Sequence, residues 1–242
     1  MSEMLMKAFI ISMVNNHEST VATRHVIESI KKTGSKLEPI ILPATVPDTI
    51  GTDLKEMGFS GISWTYPIEP RQDGLDMKTG LRLTHYPTAN HNNRVACMVS
   101  HMRSWQKAID LDETIVVLEH DALFTAKFSP EALTSDWKGG IMGLNDPRGA
   151  TRRSGVFHDM VSSYAGIQPV PTIDEMDVPQ GLAGNSAYMI SPKGAKKLLD
   201  KVREVGMWPN DALMNKQFFP WLEVVYPYYT TIQRGLRSTT TK

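Results

Sequence analysis

The sequence predicts an α/β fold, a single domain built around a mostly parallel central sheet. The chain opens with an apolar run, a helical pattern and a second apolar run, the β-α-β unit from which parallel sheets are built. Further along, Thr-Ile-Val-Val-Leu at residues 114–118 is typical of a central strand buried on both faces. A chain of 242 residues can bury one such core, so we assign residues 1–242 to one domain.

The first predicted strand covers residues 7–12, which are mostly apolar. Residues 20–32 place apolar side chains at helical spacing, and this helix should end before Gly34. Residues 37–42 are the second strand. The next stretch, 43–93, is rich in Pro, Gly, Asp and Asn and too long for a plain connection, so we expect a loop that covers a site.

Residues 145–181 are a second long irregular stretch. Together with residues 43–93 it gives the domain two long loops, which we expect to frame a cleft. Ser191 followed by Pro-Lys-Gly has the composition of a helix N-terminus. Residues 234–242 should form a flexible tail. Helical spacing is found at 94–110 and 195–205, and extended apolar runs at 114–118, 141–144, 187–190 and 222–226.

The composition is that of an ordinary globular protein. Lys plus Arg and Asp plus Glu both number 26, so there is no global field to attract nucleic acid or an anionic membrane. The single cysteine, Cys97, excludes an internal disulfide. Since no apolar run has the length of a membrane span and the N-terminus has no secretory pattern, we expect a cytoplasmic protein.

The chemistry is concentrated at residues 115–121, Ile-Val-Val-Leu-Glu-His-Asp. In open α/β sheets ligands bind beyond the carboxyl ends of the strands, where Glu119 and Asp121 would lie two residues apart on one side of an extended backbone. Two carboxylates can hold Mn²⁺ or Mg²⁺ and leave positions for water and a diphosphate. The alternative from these residues alone is a solvated strand end with a turn-forming aspartate.

Four separated motifs resemble those of one known family, glycosyltransferase family 25, which contains lipopolysaccharide and collagen galactosyltransferases. The family's helix pattern, Gly-Glu-Ile-Gly-Cys-x-x-Ser-His-x-x-x-Trp, is followed by a strand that ends Glu-Asp-Asp. Its later motifs are Tyr-Leu-Ile-Ser-Pro-x-Gly-Ala-x-x-Leu and Pro-x-Asp, and its first strand and helix are matched more loosely. The matching residues here are Cys97, Ser100, His101 and Trp105, then Glu119 and Asp121, then Tyr188 to Leu198, then Pro209 and Asp211, with Ile10 to Ser12 and Arg24 for the opening.

This resemblance implies a GT-A-type fold, a nucleotide-sugar donor such as a UDP-sugar, metal assistance and inversion at the anomeric carbon. Two departures from the pattern stand out. Asn93 and Arg94 replace the family's Gly-Glu, which reverses a charge. His120 replaces the middle aspartate of Glu-Asp-Asp, although the outer pair spaced for a metal is kept.

Inversion requires a base that deprotonates the acceptor hydroxyl, and Asp211 is our candidate. Its alternative role is the N-cap of a helix at residues 212–218. Asp174, Glu175 and Asp177 lie in a predicted loop and are weaker candidates.

Six residues are candidates for donor binding. The alternative is a packing role for His101 and Ser100, an ordinary strand-end hydroxyl for Ser12 and a side chain that points into the sheet for His120. His101 would contact a donor phosphate or orient a carboxylate, Ser100 would contact the nucleotide, and Ser12 would lie near its base. Cys97, one turn before His101, is interpreted as a core residue and not as a thiol catalyst. The remaining donor candidates are Arg24, His120 and Tyr188.

Candidate acceptor contacts are Trp208 and the basic loop residues Arg148, Arg152 and Arg153. Together with Arg234, Arg237 and Lys242 in the tail, these arginines could contact phosphates of DNA or of lipopolysaccharide, or belong to a solvated loop. Some phage-encoded relatives of the family glycosylate hydroxymethylated cytosine in viral DNA, and the acceptor we favour is such DNA. The alternatives are a surface glycan and an inactive nucleotide-binding module.

Overall fold

A computed structural model describes residues 5–61, 63–133, 137–148, 153–236 and 240. In its first half the main elements alternate between strand and helix, and in its second half short strands predominate. In chain order they are β1 (Met6–Ser12), α1 (His17–Thr33), β2 (Leu37–Pro43), α2 (Ile50–Glu56), β3 (Gly74–Leu75), β4 (Arg82–Leu83), α3 (His91–Leu111), β5 (Ile115–Glu119), β6 (Ala122–Phe124), β7 (Ile141–Gly143), α4 (Ser154–Ser162), β8 (Gly166–Pro169), β9 (Ala187–Ile190), α5 (Pro192–Val205), α6 (Asn210–Leu213), β10 (Glu223–Tyr226) and β11 (Thr230–Ile232).

Seven of these strands form one sheet in the order β2-β1-β5-β9-β7-β10-β8. Strands β2, β1 and β5 are parallel neighbours, and β10 is parallel to β7. Because β9 is antiparallel to both β5 and β7, and β8 is antiparallel to β10, five of the seven strands point the same way. The predicted α/β class with a mostly parallel sheet is confirmed.

The two faces of the sheet are covered by different helices. On β5, Ile115 and Val117 pack in a core with α3 and α5, whereas Val116 and Leu118 pack in a second core with α1. This alternation follows from the two-residue period of a strand and explains the continuous apolar run, since both faces are buried. The β6–β11 pair lies against the α1 face, where the backbone N–H of Phe124 donates to Ser29 Oγ at 3.0 Å.

The helices begin at capping residues that the sequence supplies. Asn16 caps α1 by accepting from the backbone N–H of Ser19 at 2.9 Å, and Asn90 caps α3 in the same way. Ser191 caps α5 as predicted, with its Oγ accepting from Gly194 N–H at 3.1 Å. The left-handed Gly34 ends α1, which glycine does at little cost.

Several predicted boundaries were wrong. The stretch at 43–93 contains α2 and the small β3–β4 pair, and the stretch at 145–181 contains α4 and β8. The helix predicted at 212–218 is a single turn, α6, which begins at Asn210. Gln233, just before the predicted tail, pairs with the loop after β5. Within the tail, Arg237 and Lys242 lie outside the described residues. No helix in the described part of the chain is long and apolar enough to cross a bilayer.

Candidate active site

A cleft of about 730 Å³ opens beyond the carboxyl ends of the parallel strands. Met13 after β1, Thr45 after β2 and Glu119 at the end of β5 line one part of it. Because β9 runs the opposite way, residues just before its start, including Asn185, line the same cleft, and Asp211 of α6 lies in the wall. The position agrees with the rule that open α/β sheets bind ligands at this edge.

Glu119 points from β5 toward α3 because it continues the face of Ile115 and Val117. There His101 Nε2 lies 3.1 Å from Glu119 Oε1, while 30% of the glutamate side chain remains exposed to the cleft. Burial acts to raise the pKa of Glu119, but the hydrogen bond from His101 holds that pKa below its ordinary value. The carboxylate is therefore kept ionised.

Behind Glu119 lies a buried chain of polar side chains. His101 is 1% exposed, and its Nδ1 lies 2.9 Å from Tyr188 Oη, which also accepts from the indole N–H of Trp105 at 2.8 Å. Tyr188 is fully buried and does not line the cleft, so this predicted donor contact supports His101 instead. Of the alternatives for His101, the structure favours orientation of a carboxylate.

Asp121 lies in the cleft two residues after Glu119. Its Oδ1 is buried and has no hydrogen-bond partner among the described residues. Burial and the charge of Glu119 raise the pKa of Asp121 to about 7, against the effect of a hydrogen bond from Ser186. A buried, unpaired carboxylate oxygen is costly unless a ligand or cation completes its environment.

These residues fit a divalent cation. Glu119 and Asp121 supply the hard oxygen ligands that Mn²⁺ and Mg²⁺ prefer, and the unpaired Oδ1 of Asp121 lies in the cleft. Ligand atoms of Cys97, His101 and Glu119 also lie within 4.8 Å of one another, a group that does not include Asp121. Burial and the nearby carboxylates strongly raise the pKa of the Cys97 thiol, which favours the protonated, unreactive form.

Asp211 is the second residue of α6, and Pro209 occupies the N-cap position, so the N-cap alternative is wrong. The Asp211 side chain lies in the cleft wall and accepts from the backbone N–H of Ala212 at 3.2 Å. Burial is the largest effect on its pKa, which is raised although the nearby Arg94 opposes the shift. A carboxylate with a raised pKa is a stronger base than an ordinary aspartate.

Arg94, one of the two departures from the family pattern, also lines the cleft. Its Nε donates to Thr88 Oγ1 at 2.8 Å, and an Nη donates to the carbonyl oxygen of Thr240 at 3.2 Å. The guanidinium lies over the ring of Tyr86, 5.2 Å from the centroid. Arg94 thus brings a fixed positive charge to the same cleft as Asp211.

The other predicted donor contacts divide into two groups. Ser100 and His120 line the cleft, although Ser100 Oγ already donates to Ala96 O and accepts from Thr45 N–H, both at 2.9 Å. Ser12 is buried toward α1, where its Oγ accepts from Thr23 Oγ1 at 2.7 Å, and Arg24 is exposed on that helix. Neither Ser12 nor Arg24 belongs to the cleft wall.

Those predicted acceptor contacts that the structure describes are not brought to the cleft. Arg148 is paired with Asp146 and Arg153 with Asp174, while Arg152 lies outside the described residues. Trp208 is 1% exposed and its indole N–H donates to Thr65 at 2.9 Å, so it packs in the core. The weaker base candidates are also outside the wall: Asp174 is paired as described, and Glu175 and Asp177 lie near Arg82.

Asn185 and Gln233 are among the polar residues of the cleft that sequence reasoning missed. Asn185 lines it just before β9, and its Oδ1 is buried without a hydrogen-bond partner in the described structure. Gln233, after β11, donates from its backbone N–H to Asp121 O at 2.7 Å and from Nε2 to His120 O at 3.0 Å. The polar Gly-Asn-Ser before the apolar β9 was a possible signal for Asn185, whereas nothing local marks Gln233.

Residues 71–136 match the family model described as Glycosyltransferase family 25 (LPS biosynthesis protein). This range contains α3, β5 and both candidate metal ligands. The predicted resemblance is confirmed. The chain is a glycosyltransferase.

More distant comparisons add little to this assignment. The solved galactosyltransferase LgtC in complex with donor and acceptor sugar analogs is 10% identical, with a TM-score of 0.41 over 95% of this chain and 87% of that one. Mouse xyloside xylosyltransferase 1 is 9% identical, with a TM-score of 0.38 over 90% of this glycosyltransferase and 83% of its own chain. At these values neither says anything about the chemistry here. No curated protein matches the sequence.

Proposed function

We propose that this glycosyltransferase transfers a sugar from a nucleotide-sugar donor to a hydroxyl acceptor with the assistance of a divalent cation. The observation that carries the proposal is the buried, unpaired Oδ1 of Asp121 beside the ionised Glu119, at the ligand-binding edge of the sheet. A cleft of about 730 Å³ is within the range of ordinary small-molecule sites. A UDP-sugar is the donor implied by the resemblance to family 25.

Glu119 and Asp121 would hold Mn²⁺ or Mg²⁺. When bound, the cation would neutralise negative charge on the diphosphate leaving group. The protein's part is to keep Glu119 ionised through His101 and to present the unpaired oxygen of Asp121. Ser100, His120 and Asn185, which share the cleft wall, are the residues we place nearest the donor.

Asp211 is the proposed base. Asp211 is on α6, far from Glu119 in the sequence, but both residues line the same cleft. Burial raises the pKa of Asp211. In an inverting transfer it would accept the proton of the acceptor hydroxyl as that oxygen forms the new glycosidic bond. Arg94 acts against the rise in pKa, because its positive charge favours the ionised form of Asp211 that can accept a proton.

For the acceptor we now place a glycan hydroxyl first, the class that the family description suggests. The DNA acceptor favoured by the sequence depended on a basic loop. Its described members, Arg148 and Arg153, are paired with Asp146 and Asp174 and lie outside the cleft wall. Hydroxymethylcytosine in DNA therefore becomes the alternative.

The test is turnover of a panel of UDP-sugars with Mn²⁺, with a lipopolysaccharide core acceptor and hydroxymethylcytosine DNA in parallel. We expect transfer to the glycan, and loss of at least 100-fold in turnover in Glu119→Gln and Asp121→Asn. Glu113→Gln is the matched control, because Glu113 precedes the same strand at its opposite end and is paired with Lys7 at 2.6 Å. Transfer to DNA alone would favour the alternative acceptor, and nucleotide binding without turnover would favour an inactive module.

A further inference from the structure

The buried side chains behind Glu119 form a series of hydrogen bonds, and the chemistry of the two end groups determines which way these bonds point. Trp105 Nε1 can only donate, so Tyr188 Oη accepts its proton at 2.8 Å. At the other end, the carboxylate of Glu119 can only accept, so the proton in the 3.1 Å contact belongs to His101 Nε2. Between them, His101 Nδ1 and Tyr188 Oη lie 2.9 Å apart.

One arrangement of protons satisfies every donor in this series of hydrogen bonds. The indole N–H of Trp105 donates to Tyr188 Oη, the Tyr188 hydroxyl donates to His101 Nδ1, and His101 Nε2–H donates to Glu119 Oε1. A proton on His101 Nδ1 would compete with that of the tyrosine. The hydrogen bonds therefore favour the arrangement in which His101 carries its proton on Nε2 and donates it to Glu119.

The packing around these hydrogen-bonded side chains keeps them in place. Trp105, Tyr188 and His101 are each at most 1% exposed, and the His101 and Tyr188 rings are stacked with an interplanar angle of 21°. They come from α3 and β9, the helix and strand that flank the exit of β5. Trp105 and Tyr188 do not line the cleft, whereas His101 and the partly exposed carboxylate of Glu119 do.

We propose that Trp105, Tyr188 and His101 are positioning residues that fix the Glu119 carboxylate for cation binding. The inference deepens the proposed function and rests on its assignment of Glu119 as a metal ligand. Tyr188 has no contact with the donor in this assignment. Hydrogen-bonded groups behind a metal ligand commonly change metal affinity by about 10–100-fold when they are removed.

The test compares Tyr188→Phe with Tyr228→Phe by Mn²⁺ affinity, measured by electron paramagnetic resonance without a sugar donor. Both substitutions remove one hydroxyl from a buried tyrosine, but that of Tyr228 has no hydrogen-bond partner among the described residues. We expect a Kd for Mn²⁺ about tenfold weaker in Tyr188→Phe and unchanged in Tyr228→Phe. His101→Gln, whose amide N–H can replace Nε2–H, should retain more affinity than His101→Ala.

A second measurement does not depend on the stability of any variant. The ¹⁵N chemical shifts of His101 in the unsubstituted protein should show a protonated Nε2 and an unprotonated Nδ1. A proton on Nδ1, or Tyr188→Phe with unchanged Mn²⁺ affinity, would overturn the inference even if the enzyme turns over sugar donors. Conversely, the expected shifts and affinities without any turnover would support the positioning role and refute the proposed transferase reaction.

Discussion

The residue that distinguishes this cleft from an ordinary strand end is Asp121. A turn-forming aspartate at a solvated strand end would have its usual acidity, whereas burial and the charge of Glu119 raise the pKa of Asp121 to about 7. When no cation is bound, ionisation of this buried carboxylate costs free energy in the folded protein. This cost lowers the free energy of unfolding of the metal-free protein and can be measured there.

This cost predicts a pH-dependent effect of Asp121→Asn on metal-free stability. Because the folded pKa lies above the unfolded value of 3.8, Asp121 lowers wild-type stability as pH rises from about 4 toward 7. At pH 8 the variant should be more stable than wild type by about 1–3 kcal/mol, and near pH 4 the difference should be small. Urea unfolding at both values measures this. An equal difference at pH 4 and pH 8 would show that the carboxyl is not perturbed.

The same pKa predicts that cation binding releases a proton. Below about pH 7 a cation must displace the proton of Asp121, so the apparent Kd for Mn²⁺ should weaken by about tenfold for each further pH unit. Above pH 8 the affinity should level off. Isothermal titration in buffers of different ionisation enthalpy would detect the released proton. In Asp121→Asn this proton should no longer appear, and its persistence would assign the release to another group.

At the scale of elements, the best-predicted segments were those whose signal is local. The strand at β5, the helix α3 and the cap of α5 each follow from a few consecutive residues. The missed strands β3, β4, β6, β8 and β11 have only two to four residues, and their extended form depends on pairing with other chain segments. Asp211 shows the same limit, because its role depended on where the single turn of α6 begins.

Ser191 offers a test of an element that stabilises the fold without forming the site. Its Oγ accepts from Gly194 N–H at 3.1 Å and donates to Gly139 O at 2.6 Å, at the end of β9 opposite the cleft. Ser191→Ala should therefore cost about 1–2 kcal/mol of unfolding free energy and leave kcat/KM unchanged. Ser163→Ala, which removes an exposed hydroxyl bonded to Met160 O, is the control. A loss of kcat/KM without a loss of stability would contradict this division.

At the scale of the whole molecule, the site combines residues that are close in sequence with residues that are not. Glu119, Asp121 and His101 could be predicted because a strand and its preceding helix bring them together. Asn185 and Gln233 reach the cleft through an antiparallel strand and the last strand of the chain, which no local pattern indicates. The acceptor prediction based on the basic loop was limited for a related reason. The sequence shows the cluster of arginines, but it does not show that Asp146 and Asp174 pair with Arg148 and Arg153.

Gln233 joins these distant parts. Its backbone N–H donates to Asp121 O, and its Nε2 donates to Ala22 O and His120 O at 3.0 Å, so one side chain connects α1, the loop after β5 and the C-terminal strand. In Gln233→Ala the carbonyl oxygens of Ala22 and His120 lose a close partner and that of Ala122 a longer one at 3.5 Å, which should cost about 1–3 kcal/mol of stability. Because one of them belongs to the residue between Glu119 and Asp121, cation binding should weaken as well.

The matched control is Gln106→Ala, since Gln106 is on α3 but bonds only to the exposed Asp110 at 2.7 Å among the described contacts. We expect Gln233→Ala to lower both the Tm and the Mn²⁺ affinity severalfold, and Gln106→Ala to change neither. A variant that loses stability but keeps full affinity would show that the Gln233 side chain does not position Glu119 and Asp121 for the cation. An unchanged Tm would mean that the hydrogen bonds of the Gln233 side chain to α1 and to the residue between Glu119 and Asp121 do not stabilise the fold, and that the β6–β11 pairing alone holds the C-terminal strand in place.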